Sequence, residues 1–242
     1  DPAATAAPAP ETFAATPAPM ATPADPAADA GMAPGAVDSD AAALQQTQAA
    51  ALTMLCGDAD RGRALVTELG QRAATDPAQR RLLIKCSGWS GDPRVVPWLI
   101  QQMPDLKVAR LVGEAFTTIT GADLARLDLE NIHQPDAPPS GPSDDPDDDD
   151  VSMDEDDSLP WPNVEKIRGW WSREGARFTP GVRHLLGEPV DAASLHRVLQ
   201  DGTQRVRSQA AYLRCAIAPG TPLFNVAAPQ WRQVRALKTP AG

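Results

Sequence analysis

The amino-acid sequence predicts an all-α protein of short antiparallel helix pairs stacked as an α-solenoid. Three observations lead to this prediction. Apolar residues recur at helical spacing in segments of three to four turns that Asp-Pro or Gly separate. No segment shows the apolar–polar alternation expected of a half-buried strand. The pattern also repeats, because similar octapeptides begin at Asp76 and Asp105, with Arg81 matching Arg110.

Charge and composition divide the chain into four segments. The 242 residues carry a net charge of −10, but residues 1–40 hold six acidic and no basic residues, and residues 131–160 hold eleven acidic and none basic. The first segment is rich in Ala and Pro and predicts a disordered tether, and the second predicts an acidic disordered linker. Two helical blocks remain: residues 41–130, whose charges balance, and residues 161–242, with a net charge of +7.

The block 41–130 shows five helical segments. Their expected beginnings are near Asp40, Asp60, Asp76, Asp92 and Asp105. Two of these aspartates precede Pro, which suits an N-cap followed by Pro in the first helical turn. A lone helix pair cannot bury its apolar face, so we expect neighbouring pairs to pack against one another. A plain helical bundle is the alternative arrangement.

The C-terminal block, residues 161–242, contains four of the six Trp residues and most of the excess Arg. Adjacent residues of a helix point about 100° apart, so one Trp of a pair can enter the core while the other reaches its edge. Trp and Arg are also typical hot-spot residues of protein interfaces. The candidate partner-binding residues are Trp170, Trp171, Arg173, Arg177, Arg205, Arg207 and Trp231. The alternative is that the Trp residues only pack the core and the Arg residues form a solvated face.

The sequence shows no motif for catalysis, a cofactor or a metal. The three histidines have no metal-ligand spacing, and neither a phosphate-binding loop nor a dinucleotide fingerprint is present. Residues 144–157 are strongly acidic but lack the spacing of a calcium-binding loop. Three widely separated cysteines favour free thiols and a cytoplasmic location. No run reaches 18 apolar residues, so no membrane span is expected.

Several segments carry a resemblance to a known family. They are Gly91-Asp-Pro-Arg-Val-Val-Pro-Trp-Leu-Ile, Arg110-Leu-Val-Gly-Glu-Ala-Phe, Leu159-Pro-Trp-Pro, Arg177-Phe-Thr-Pro-Gly-Val-Arg-His-Leu-Leu-Gly and Ala228-Pro-Gln-Trp-Arg-Gln. With them, residues 76–130 and 161–238 resemble an uncharacterised bacterial family of HEAT-repeat-like, armadillo-like proteins. The resemblance implies a right-handed stack of helix pairs, no enzymatic activity and an accessory role in type VI secretion.

These observations together predict a non-enzymatic protein-binding scaffold or adaptor. Its expected partner is a protein, such as a secretion spike component or an effector. The alternative is a HEAT-like nucleic-acid-binding protein or DNA-repair enzyme that uses the basic C-terminal face. The C-terminal block has a net charge of +7 and follows a linker with a net charge of −11, so few positive side chains are available for phosphate contacts. The sequence therefore favours the protein partner. A degenerate fragment with no function of its own is a third interpretation.

Overall fold

The computed structural model describes residues 34–133, 136 and 155–238. Most of the predicted tether, 1–40, and most of the predicted acidic linker, 131–160, lie outside these residues. The described residues from Ala42 onward form one compact unit.

The described part of the chain is predominantly helical, as the sequence predicts. Its α-helices are α1 (Pro34–Cys56), α2 (Ala59–Arg72), α3 (Pro77–Ser90), α4 (Val96–Gln102), α5 (Ala109–Thr120), α6 (Val164–Glu174), α7 (Ala192–Asp201), α8 (Gln204–Ile217) and α9 (Gln230–Lys238). Short 3-10 helices cover Pro93–Val95 and Gly175–Arg177. No described helix has the length and apolar character needed to cross a membrane.

Two short antiparallel ladders are elements that the sequence did not predict. In the first, β1 (Glu130–Asn131) pairs with β2 (Trp161–Pro162). In the second, β3 (His184–Leu185) pairs with β4 (Glu188–Pro189). Two residues are too few to show an alternating pattern, so periodicity could not reveal these strands.

Side-chain caps define several helix beginnings, and the cap of α3 is Asp76, as the sequence predicts. The Asp76 carboxylate accepts hydrogen bonds from the first turn of α3, and Asn163 does the same for α6. Asp191 forms a capping box with Ser194 at the start of α7. Two expected beginnings are wrong. Helix α1 starts at Pro34 rather than near Asp40. Helix α5 starts at Ala109, and the Asp105 carboxylate accepts from the Lys107 amide and forms an ion pair with Arg80 of α3.

The apolar side chains form three clusters, two of which cross the boundary between the two predicted blocks. The first surrounds Phe116 of α5 and includes Ile167 and Trp170 from α6. The second lies between α7 and α8 and includes Leu55 from α1. The third joins α1, α2 and α3 around Leu69 and lies within the first block. The first two clusters therefore connect the interiors of the two blocks.

Arg183, beside the β3–β4 hairpin, binds the C-terminal ends of two helices. Its Nη2 and Nη1 atoms donate to the carbonyl oxygens of Met54 (2.8 Å) and Leu55 (3.3 Å) in α1. Its Nε atom donates to the carbonyl oxygen of Ser90 in α3 at 3.2 Å. The last carbonyl groups of a helix have no partner within the helix, and its C-terminus carries partial negative charge. One guanidinium therefore satisfies and neutralises two helix ends at once.

The hairpin backbone binds the end of a third helix. The amides of Leu186 and Gly187 donate to the carbonyl oxygens of Thr118 (2.7 Å) and Ile119 (3.0 Å) in α5. At Gly121, which follows α5, φ is +69°, and an added Cβ would lie 2.3 Å from the Leu186 carbonyl oxygen. Only glycine allows this close approach. The hairpin thus acts as a common cap for α1, α3 and α5.

Candidate partner-binding surfaces

The two adjacent indoles of α6 take part in the core. Trp170 is 9% exposed and packs edge-on against Phe116, with ring centroids 5.6 Å apart. Trp171 is partly buried and stacks on Phe178 at 5.5 Å. The Arg177 guanidinium lies over the rings of both Trp170 and Phe178, at 5.6 and 4.8 Å. These positions agree with the packing alternative, in which the aromatic residues stabilise the module.

The other candidate residues fall into different environments. Arg173 is exposed on α6, whereas Arg205 on α8 forms an ion pair with Glu114 of α5. Arg207 donates to the carbonyl oxygen of Leu199 at 2.9 Å and also binds the side chain of Gln233, so it ties α8 to α7 and α9. Trp231 on α9 is 61% exposed. The exposed members are therefore dispersed over α6, α8 and α9.

A groove that the sequence did not reveal lies between α1, α3, α5 and α8. Its volume is about 560 Å³. The apolar part of its wall includes Trp89, Leu111, Ala115 and Tyr212. The three helices α3, α5 and α8 are each the second member of a neighbouring pair, α2/α3, α4/α5 and α7/α8. Because these residues are distant in sequence, only the tertiary arrangement places them in one groove.

Charged groups of the groove form ion pairs, whereas one buried acceptor has no donor among the described residues. Arg205 and Glu114 connect α8 with α5 at 2.9 Å, and Lys85 binds Glu155 at 3.3 Å. The Lys85 charge lowers the pKa of the Glu155 carboxyl below its ordinary value. In contrast, Oε1 of Gln209 is buried and accepts no hydrogen bond from the described residues. A buried acceptor without a donor is costly, and a ligand N–H group would satisfy it.

One edge of this region holds residues 155–157, which the sequence assigned to the acidic linker. The Arg81 guanidinium donates to both carboxylate oxygens of Asp156, at 2.9 and 3.0 Å, and Asp156 is only 5% exposed. Burial alone would lower the pKa of Arg81, but its bonds to Asp156 raise it. Arg110, the counterpart of Arg81 in the repeat, pairs with Asp157 at 3.7 Å and lies over the Trp161 ring. The two matching arginines thus hold one acidic segment.

A second cleft lies between the end of α8, the segment 218–228 and α9. Its volume is about 740 Å³, and its lining includes Arg214, Leu223, Phe224 and Arg232. The described residues that line it include no carboxylate. Arg214 and Arg232 were not among the candidate residues. A charge count of residues 202–238 would have pointed to them, because this stretch contains no Asp or Glu.

The described residues offer no cluster of metal ligands, and two of their titratable side chains, His184 and Cys86, are buried. No group of three potential metal ligands is present among them. His184 is buried, and its Nδ1 lies 2.8 Å from the Val182 carbonyl oxygen. Burial raises the pKa of the Cys86 thiol to about 12, which disfavours the reactive thiolate at neutral pH.

Comparisons with known proteins give no match, whether to family models, to curated proteins or to solved structures.

Proposed function

We propose that this protein is a non-enzymatic scaffold that binds a segment of a protein partner in the groove between α1, α3, α5 and α8. The buried, unpartnered Oε1 of Gln209 in the groove wall is the observation that carries the proposal. A partner amide N–H would satisfy this acceptor, while apolar side chains of the partner would pack against Trp89 and Tyr212. Apolar lining with a few fixed polar groups is typical of binding sites.

We also propose that the helix pairs follow the HEAT-like solenoid arrangement. The extensive packing of α3 against α5, together with the pairs α2/α3, α4/α5 and α7/α8, supports this proposal. In such a stack the second helices of successive pairs line one face, where solenoid proteins bind their partners. The groove lined by α3, α5 and α8 fits this expectation.

The partner that we propose is a cytoplasmic bacterial protein, such as a type VI secretion spike component or an effector. Support for this identity comes from the resemblance of residues 76–130 and 161–238 to a family associated with that system. The groove supports only the class of ligand, a short peptide segment with exposed amide and apolar groups.

Site-specific photocrosslinking tests the groove. Ser208 lines it, and its hydroxyl donates to the Gln204 carbonyl oxygen at 3.0 Å. Ser172 on α6 is a matched control, because it is exposed and makes the same local bond to Arg168 at 2.9 Å. A photoreactive benzoylphenylalanine at Ser208 is expected to crosslink one specific protein in a lysate of the source organism, while the same group at Ser172 does not.

Binding measurements then decide whether the crosslinked protein is a partner. The purified protein is expected to bind the chain in calorimetry, and Ser208→Trp is expected to weaken this binding at least tenfold by filling the groove. Ser172→Trp should leave the affinity unchanged. Equal crosslinking from both positions, or unchanged affinity of the Ser208→Trp variant, would contradict the proposal.

The second candidate function is nucleic-acid binding by the basic C-terminal face. It is favoured by the six Lys and Arg residues of 202–238, which contain no acidic residue. Arg205 is already paired with Glu114, and Arg207 binds neighbouring backbone and side-chain groups, which reduces the free charge. This function predicts duplex binding that weakens steeply with salt and that is lost when the Arg residues of 205–214 are replaced by Glu.

A further inference from the structure

The last two helices and the segment between them form a uniformly cationic part of the molecule. Residues 202–238 contain five Arg, one Lys and no carboxylate. Arg205 forms an ion pair with Glu114 of α5 and lies outside the second cleft. The second cleft, about 740 Å³ in volume and lined by Arg214 and Arg232, lies within this part of the chain. Its electrostatic complement is an anionic ligand.

Arg214 lines this cleft. Its Nε atom is buried and has no hydrogen-bond acceptor among the described residues. Its guanidinium lies 6.0 Å from the ring centroid of Phe224, which is itself 5% exposed. A guanidinium matches a carboxylate through two parallel N–H···O bonds, one of which can come from Nε. An incoming carboxylate would therefore satisfy a donor that the folded chain leaves unpaired.

The remaining walls combine a second cation with exposed apolar groups. Arg232 is exposed on α9 and lies over the Trp231 ring, at 5.1 Å from the centroid. Leu223 lines the cleft and is 53% exposed. A ligand that carries both a carboxylate and an aliphatic side chain would pair with the arginines and cover Leu223. A peptide with neighbouring acidic and apolar residues has this composition.

The cleft is held in shape before any ligand arrives. Gln233 of α9 donates from Nε2 to the carbonyl oxygens of Val226 (3.0 Å) and Ala228 (2.6 Å). Its Oε1 atom accepts from Arg207, which connects α9 to α8. Leu237 packs against the cluster formed by α7 and α8. A preformed site avoids the entropic cost of ordering its walls on binding.

We propose that the cleft between α8 and α9 is a second binding site, which takes an acidic peptide segment with a carboxylate between Arg214 and Arg232. It is separate from the groove of the proposed function and does not depend on it. A peptide fits better than a nucleic acid because the buried donor lies within a cleft with apolar walls. Duplex binding instead requires many phosphate contacts across an open surface.

Calorimetry on the full chain at low salt tests this proposal. The probe is the acetylated peptide Glu-Leu-Glu-Glu-Leu-Glu, and the same peptide with Gln at every Glu position serves as the uncharged control. The acidic peptide is expected to bind with a Kd on the order of 10–100 μM. Arg214→Gln and Arg232→Gln are each expected to weaken this binding roughly tenfold, because each removes a charge-assisted hydrogen bond.

Arg168→Gln is the matched variant, because it removes one exposed Arg charge from α6, outside the cleft. It is expected to change the affinity less than about twofold. Arg232 is itself exposed, so its variant remains informative if Arg214→Gln does not fold. Absence of binding, equal binding of the Gln peptide or equal weakening by Arg168→Gln would overturn the proposal. Tighter binding of a DNA duplex that depends on the same two arginines would also overturn it.

Discussion

Replacing Arg183 by Met removes the guanidinium that joins α1 to α3 while it keeps an apolar stem of similar length. Three hydrogen bonds are lost, to the carbonyl oxygens of Met54, Leu55 and Ser90. A hydrogen bond to a charged group contributes roughly 1.5–3 kcal/mol in favourable settings. Arg183 is only partly buried and two of its bonds exceed 3 Å, so about 1 kcal/mol per bond is a more suitable value.

The expected loss of unfolding free energy is therefore about 3 kcal/mol. For a chain of this size, this loss corresponds to a decrease in Tm of about 6–12 °C. The measurement is urea denaturation followed by circular dichroism at 222 nm, together with a thermal scan. Arg183→Lys is expected to lose about 2 kcal/mol, because an ammonium group can retain one of the three carbonyl contacts in this geometry.

Arg197→Met is the control for the removal of one positive charge. Arg197 is exposed on α7 and pairs only with Glu188 among the described residues, so no measurable change is expected. If Arg183→Met unfolds at the same urea concentration as this control, the hairpin does not connect the helix ends in the manner described.

Three further predictions concern backbone geometry, pH and thiol chemistry. Gly121→Ala is expected to lower the unfolding free energy, measured by urea denaturation, by about 2–4 kcal/mol. Gly220 also has a positive φ, but the space around its Cβ position is open, so Gly220→Ala should lower the unfolding free energy clearly less. Because the Lys85 charge lowers the pKa of Glu155, their pairing stabilises the fold above the unfolded carboxyl pKa and is lost as the pH falls through the folded value. The small stability difference between Glu155→Gln and the parent chain at pH 7 should therefore vanish at low pH, and a difference that persisted there would exclude this pairing as its cause. Cys86, with its pKa raised to about 12 by burial, should resist iodoacetamide at pH 8 until urea unfolds the chain, as peptide mass spectrometry would show.

The local part of the fold was accessible from sequence, because helix signals act over a few residues. The Asp76 cap and the end of α5 before Gly121 depend on residues that lie next to one another in the chain. Asp105, which Leu follows rather than Pro, was expected to cap α5, yet its carboxylate binds Arg80 and α5 begins only at Ala109. A long-range ion pair of this kind cannot be read from the local pattern.

The candidate surfaces were less accessible. Composition shows that Trp is concentrated in the C-terminal block, but it does not distinguish Trp170, which is buried, from Trp231, which is exposed. The distinction depends on which helix face meets α5, and residue spacing within α6 alone does not determine it. The groove and its unpartnered Gln209 oxygen arise only when four separate helices pack together.

The pairing of Glu130 with Pro162 and of Asn131 with Trp161 has a consequence for insertions and deletions in this chain. Asn131 and Trp161 lie side by side in this ladder, and the Asn163 side chain donates to the Asn131 side chain at 2.7 Å. Since the two ends of the intervening segment are fixed together, the number of residues between them is independent of the spacing of the helices. Each doubling of that number adds only about 0.6 kcal/mol of closure entropy. The part of this segment that precedes residue 155 can therefore vary in length without displacing a helix, whereas residues 155–157 are held by Lys85, Arg81 and Arg110.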